Sequence, residues 1–166
     1  MTTEGACLTP FAIRPATLSD YEPMRALLAE VDELHRLRLP WMFQEPAVEP
    51  RPPDFFEQLL ADDRSALLVA EAEARLVGVA TAVIRTAPDF PVFLAQTWGV
   101  LDNIAVLQPW RRRGVGTALI RHAERWVQGR GANWIELGVY EFNAEARAFY
   151  QALGYAPVLT KLRKPF

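Results

Sequence analysis

Six residues between an apolar run and an amphipathic one, Arg111-Arg112-Arg113-Gly114-Val115-Gly116, restrict this chain most tightly. Leu101-Asp102-Asn103-Ile104-Ala105-Val106 ahead of them is apolar and β-branched enough to read as a partly buried strand. Pro109 and Trp110 end that strand, and a helix is expected over about 114–129, with Val115, Leu119, His122 and Trp126 along one face. A strand must therefore turn into a helix within a glycine-rich corner. The first amides of a helix have no carbonyl of their own helix to meet, and they stand at the positive end of its dipole. Such donors suit an anionic oxygen cluster, for example a pyrophosphate. Gly114 and Gly116 are expected to let a ligand approach the backbone where a Cβ would obstruct it. Three arginines add positive charge beside the same place. The corner reads as an anion cradle.

Two familiar cradles are excluded. No Lys follows Gly116, so this is no Walker-type phosphate loop, and the third glycine of a dinucleotide fingerprint is absent. What remains is Arg-x-x-Gly-x-Gly after a strand. A second block follows it. Residues 134–140 read as another strand, and 144–153 as a short helix closed by Gly154. Within this block stands Asn143-x-x-Ala146-x-x-Phe149-Tyr150-x-x-Leu153-Gly154-Tyr155. With both blocks in this order, the chain resembles the GNAT superfamily of N-acetyltransferases, closely over about 98–155 and more loosely throughout. Ile13-Arg14-Pro15-Ala16, Glu33-Leu34-His35 and Pro88-Asp89-Phe90-Pro91 are also similar to one bacterial subgroup of that superfamily, which is not tied to one substrate.

The resemblance implies an α/β fold: a mixed, mostly antiparallel twisted sheet with flanking helices and a splayed central strand pair. It implies one N-acetyltransferase domain over residues 1–166, using acetyl-CoA as co-substrate and a primary amine of a small molecule or peptide as acceptor. The strand at 101–106 would part from that at 134–140, and pantetheine would enter the gap as a pseudo-strand. Ile104 and Val106, with Ala105 between them, would pair with its amides. Amides from Arg112 through Arg113, Gly114, Val115 and Gly116 to Thr117 would hold the pyrophosphate, with Arg111 or Arg112 reaching a phosphate or the adenine side. Asn143 would hydrogen-bond the pantetheine arm. The amine would attack the thioester directly, with backbone donors near a strand bulge meeting the oxyanion. Tyr150 stands at the family's acid position; a phenol with a pKa of about 10 is protonated at neutral pH and can donate to a departing sulfur anion. Taken by itself, the same residue reads rather as a tyrosine packing its ring in the core from a helix face.

The base is harder to place. Some relatives carry a Glu on the strand before the Asn, where this chain has Gly138. Asp102, Glu136 and Glu141 are the candidates. Asp102 leads, because strand alternation puts it on the same face as Ile104. Each also reads as an ordinary surface carboxylate. His35 is a candidate wall of the acceptor pocket or an exposed helix histidine, and His122 a packing residue. Two histidines and one cysteine form no metal-ligand cluster. Cys7 is no credible nucleophile.

The remaining pattern fits one mixed α/β sheet. Phe11-Ala12-Ile13-Arg14 reads as a first strand, and Thr17 to Asp20 as a capping box before a helix into the middle thirties. Five prolines over 40–53 exclude a helix or central strand there. Trp41, Met42 and Phe43 in that loop are expected to pack in the core, with an acceptor wall or dimer contact as alternatives. Asp54 is expected to cap a helix carrying Phe55, Phe56, Leu59 and Leu60. Ala66–Glu71 and Leu76–Arg85 read as a hairpin without a strong turn signal. A last strand is expected over about 156–164. A formal charge of −2 and a pI of about 5.7 argue against a general nucleic-acid binder. No run is long enough to cross a membrane, and with a single cysteine a cytoplasmic protein is expected. A homodimer is left open. The competing functions are a non-catalytic acyl-CoA-binding or regulatory module and a phosphate-binding adaptor.

Overall fold

The structure is a computed structural model that describes residues 10–166. Five strands form one sheet in chain order: β1 (Ala12–Pro15), β2 (Ser65–Ala72), β3 (Arg75–Thr86), β4 (Thr97–Val106) and β5 (Ile135–Leu137). The first three neighbour pairs are antiparallel and β4–β5 is parallel. Helices α1 (Tyr21–Arg38) and α2 (Pro53–Ala61) cover one face, while α3 (Val115–Gly129) and α4 (Ala144–Ala152) cover the other. The expected mixed, mostly antiparallel sheet is present.

Strand alternation divides the core in two. Leu68, Ala70, Ala80, Ala82 and Leu101 meet α3, whereas Leu67, Val69, Val79 and Ala105 meet α1 and α2. The buried side of α3 runs through Val115, Leu119, Ile120, Ala123 and Val127. This stripe is rotated from the expected one: His122 and Trp126 flank it, half-buried, and His122 Nδ1 lies 2.8 Å from the Ala118 carbonyl oxygen. Each fully buried Leu, Ile or Val on that stripe contributes about 1.5–3 kcal/mol, which is what seats the helix on the sheet.

The hairpin between β2 and β3 turns on Glu73 and Ala74, with φ of 51° and 57°. Two consecutive left-handed residues make the tight turn that right-twisted strands favour, here without the Asn or Gly that usually supplies it. Replacing Glu73→Asn together with Ala74→Gly should therefore stabilise the protein by about 1 kcal/mol in urea unfolding. No gain would mean that the turn carries no strain.

The entry to α1 is held by Asp20. Its carboxylate accepts from the Thr17 amide at 2.7 Å and from both terminal nitrogens of Arg14 at 2.7 and 2.9 Å. These Arg14 hydrogen bonds, opposed by burial, lower the Asp20 pKa to about 2. Its folded value lies below the unfolded one, so the stabilisation is complete above about pH 4 and is lost as pH falls towards 2. Arg14 is partly exposed, so solvent screening limits the effect to about 2 kcal/mol. Asp20→Asn should remove that amount at pH 6 and flatten the acid limb of the stability curve.

Three expectations fail here. The stretch 156–166 contains no strand. Pro157 lacks a donor, Val158, Leu159 and Leu162 do not alternate, and all three side chains are highly exposed. Asp54 is not the cap of α2, because Pro52 holds that position and Pro53 begins the helix. Trp41 and Met42 do not join the core, each being 51% exposed. Cys7 lies outside the described residues. Among the described residues, no helix is long and apolar enough to cross a membrane.

Candidate active site

The pairing of β4 with β5 covers only Gly99↔Ile135, Val100↔Glu136 and Leu101↔Leu137. Beyond Leu137 the chain turns away through Gly138 and Val139, so β5 is shorter than the strand expected over 134–140. The two strands part where the resemblance implies a cleft.

A bulge marks the same point. Ala82 pairs with Leu101 and Thr81 with Asn103, which leaves Asp102 as the extra residue. The bulge reverses the alternation of β4: Leu101 and Ile104 both face α3, and Ala105 faces α1. Regular alternation therefore does not place Asp102 with Ile104. Its side chain is exposed, and no described residue hydrogen-bonds its carboxylate.

Leu107 donates its amide to Val77 of β3 at 2.9 Å. By antiparallel alternation, the main-chain groups of Ile104 and Val106 then turn to the open edge. The Val106 carbonyl is already met from that side by Arg111 Nε at 3.0 Å. Arg111 is thus held on the strand. Arg113 lies over the Trp110 ring, 5.4 Å from its centroid, and Arg112 forms only a loose, exposed pair with Glu145 at 3.9 Å. The three arginines diverge.

The corner itself is a sequence of open donors. Among the described residues nothing accepts from the amides of Arg112 through Thr117; the first helical hydrogen bond is Ala118 N–H to the Gly114 carbonyl at 2.9 Å. Gly114 has φ of +84°, and a Cβ there would meet nothing within 4 Å. Its glycine serves the left-handed backbone. Gly116 differs: a Cβ would stand 3.2 Å from the Phe149 ring, so this glycine lets α3 close on α4. Both glycines thus shape the corner. Six free amides around open space at a helix N-terminus fit a pyrophosphate.

Asn143 caps α4, its Oδ1 accepting from the Ala146 amide at 3.1 Å, which leaves the side-chain NH2 group free to donate. Tyr150 is 9% exposed, with its ring against Phe149 and Tyr155. No described residue hydrogen-bonds its hydroxyl, yet among the described residues no buried side-chain polar atom lacks a partner, so the oxygen reaches solvent. Burial raises its pKa, which keeps the phenol protonated well above neutral pH.

On the α1 face, an aromatic wall closes the open end of the cleft. His35 stacks on Phe43 at 5.4 Å and meets Tyr140 edge-on at 5.2 Å and Phe142 at 6.2 Å. Tyr140 donates to Met42 Sδ at 3.3 Å. Arg51, paired with Asp32 at 2.6 Å, ties the proline-rich loop back to α1. Burial lowers the His35 pKa, so its ring is held neutral. Tyr140 and Phe142 went unrecognised in the sequence because nothing there shows that the β5–α4 loop meets α1. A second group lies at the closed end, where Glu136, one of the candidate bases, is held by indoles that went unrecognised: Trp98 Nε1 and Trp134 Nε1 donate to its two oxygens at 3.1 and 3.3 Å. Its signal was the Trp-x-Glu spacing of 134 and 136, which puts both on one face of a strand.

The model of the acetyltransferase (GNAT) family matches residues 28–155, and the chain belongs to that family. It is 29% identical over 147 residues to an N-alpha-acetyltransferase of Sulfurisphaera tokodaii, with 84% of this chain and 82% of that protein covered. The chain spans far less of some other curated relatives: 14% of one from rice, 25% of one from Bacillus subtilis and 64% of one from Archaeoglobus fulgidus. A mutant Bacillus halodurans protein of known structure shares the fold with a TM-score of 0.88 and 24% identity, over 93% of this chain and 99% of that one. An aminoglycoside N-acetyltransferase crystallised with CoA does so at 0.73 and 22%, over 100% and 99%.

Proposed function

We propose that this chain transfers the acetyl group of acetyl-CoA to a primary amine of a small molecule or peptide. The observation that carries the reading is the run of unpaired amides from Arg112 to Thr117, set immediately beyond a splayed strand pair. Acetyl-CoA supplies the acyl group as a thioester already activated towards amines. The corner amides would hold its diphosphate, and the open edge of Ile104 and Val106 its amide-bearing arm, with Arg111 moving off the Val106 carbonyl. Asn143 keeps its NH2 group for the same arm. Tyr150 holds a proton on its hydroxyl and delivers it where negative charge gathers on sulfur. Asp102, exposed at the bulge where the strands part, would take a proton from the incoming ammonium. One domain spanning the chain, in the cytoplasm, completes the reading.

Calorimetry with CoA tests the cradle and thiol release across an amine panel tests the transfer. Binding tighter than about 1 mM and amine-dependent thiol release are expected. No heat at that concentration would remove the reading. Binding without thiol release for any amine would mark the chain as a non-catalytic acyl-CoA module instead.

A further inference from the structure

We infer that Trp98, Trp134 and Glu136 form a cation subsite that selects acceptors carrying a second positive charge beyond the reacting amine. The inference rests on the proposed transfer to an amine. It starts from sheet geometry. A Cβ on Gly99 would strike Val127 of α3, so Gly99 faces α3, and its neighbours Trp98 and Val100 face the α1 side. Ile135 and Leu137 pack with the α3 cluster, which turns Trp134 and Glu136 to the same α1 side. The acceptor's aromatic wall at His35 is built from α1, so the subsite and the wall share one face of the sheet.

The group is chemically distinct. The two indoles stack with centroids 5.5 Å apart and planes 7° from parallel, and both N–H groups converge on one carboxylate. That fixes the carboxylate without neutralising it: no described Lys, Arg or His pairs with Glu136. Arg85, cross-strand from Trp98, forms no ion pair with Glu136 among the described residues. Trp134 is 38% exposed, so indole surface borders the charge. A carboxylate anchored by neutral donors beside open π-faces attracts an ammonium by charge and by cation–π contact. Glu136 lies opposite Val100, two residues before the bulge at Asp102. At strand rise that is about 7 Å, close to the separation of the two nitrogens in a linear diamine of four or five carbons.

The experiment compares 1,5-diaminopentane with 5-amino-1-pentanol, equal in length but lacking the second cation. The native protein should favour the diamine by about tenfold in kcat/KM, through KM, and Glu136→Gln should bring the ratio near one. Trp134→Phe, which deletes the longer indole bond at an exposed position, should fall between the two. A clasp that merely pinned β5 to β4 would slow both substrates alike and keep the ratio, which would overturn the inference. If neither amine is acetylated, tryptophan fluorescence decides separately. A change with the diamine that is absent with the amino alcohol and lost in Glu136→Gln upholds the subsite even as the proposed transfer fails; no such change removes it.

Discussion

Tyr150→Phe should lower kcat by about a hundredfold, roughly 2.7 kcal/mol of barrier, while CoA affinity stays within about twofold. The phenylalanine keeps the ring that packs between Phe149 and Tyr155, so the core loses no apolar contact. Only the hydroxyl is removed, and it has no described hydrogen-bond partner to orphan. A residue serving only as packing would therefore tolerate the change, and a proton donor would not. Because burial raises the Tyr150 pKa, loss of activity through ionisation of this phenol belongs above its ordinary value near 10, not at neutral pH. Steady-state kinetics with calorimetry on the same variant makes the separation. Turnover equal to the native protein would remove Tyr150 from the mechanism.

What was legible in the sequence follows the range of the signal. The hairpin of β2 and β3 was visible as two short apolar runs, although its left-handed turn at Glu73 and Ala74 was not. Strand, corner and helix around Arg111 could be read because Gly114 and the periodic residues after it are local signals. The bulge at Asp102 could not be read, since one extra residue leaves the composition of β4 unchanged and alters only its register with β3. The Gly116–Phe149 and His35–Tyr140 contacts join positions far apart in sequence, and each depends on how helices and loops settle on the sheet. Local motifs, through the family resemblance they carry, located the cleft; the walls that give it chemical preference are tertiary.

Gly99→Ala tests how the closed end of that cleft is built. A Cβ at this position would stand 2.4 and 2.6 Å from the two methyl carbons of Val127, inside any tolerable contact. Val127 is buried on α3, and Gly99 belongs to the three-pair ladder with β5, so neither side can yield without disturbing the strand junction. The expected cost is about 3 kcal/mol, with melting lowered by roughly 10 °C. Val127→Ala alone should cost about 2 kcal/mol through the cavity it leaves. Combined, the two should cost about 2 kcal/mol, less than their sum by about 3 kcal/mol and less than Gly99→Ala alone, because the shortened side chain makes room for the new methyl. Strict additivity would mean that α3 does not rest on Gly99. The functional consequence is directional. Val127 is at the C-terminal part of the helix whose first turn presents the open amides of Val115 to Thr117. Gly99→Ala should therefore weaken CoA binding along with stability, and Val127→Ala should restore both together, as calorimetry and thermal melts of the same four proteins would record.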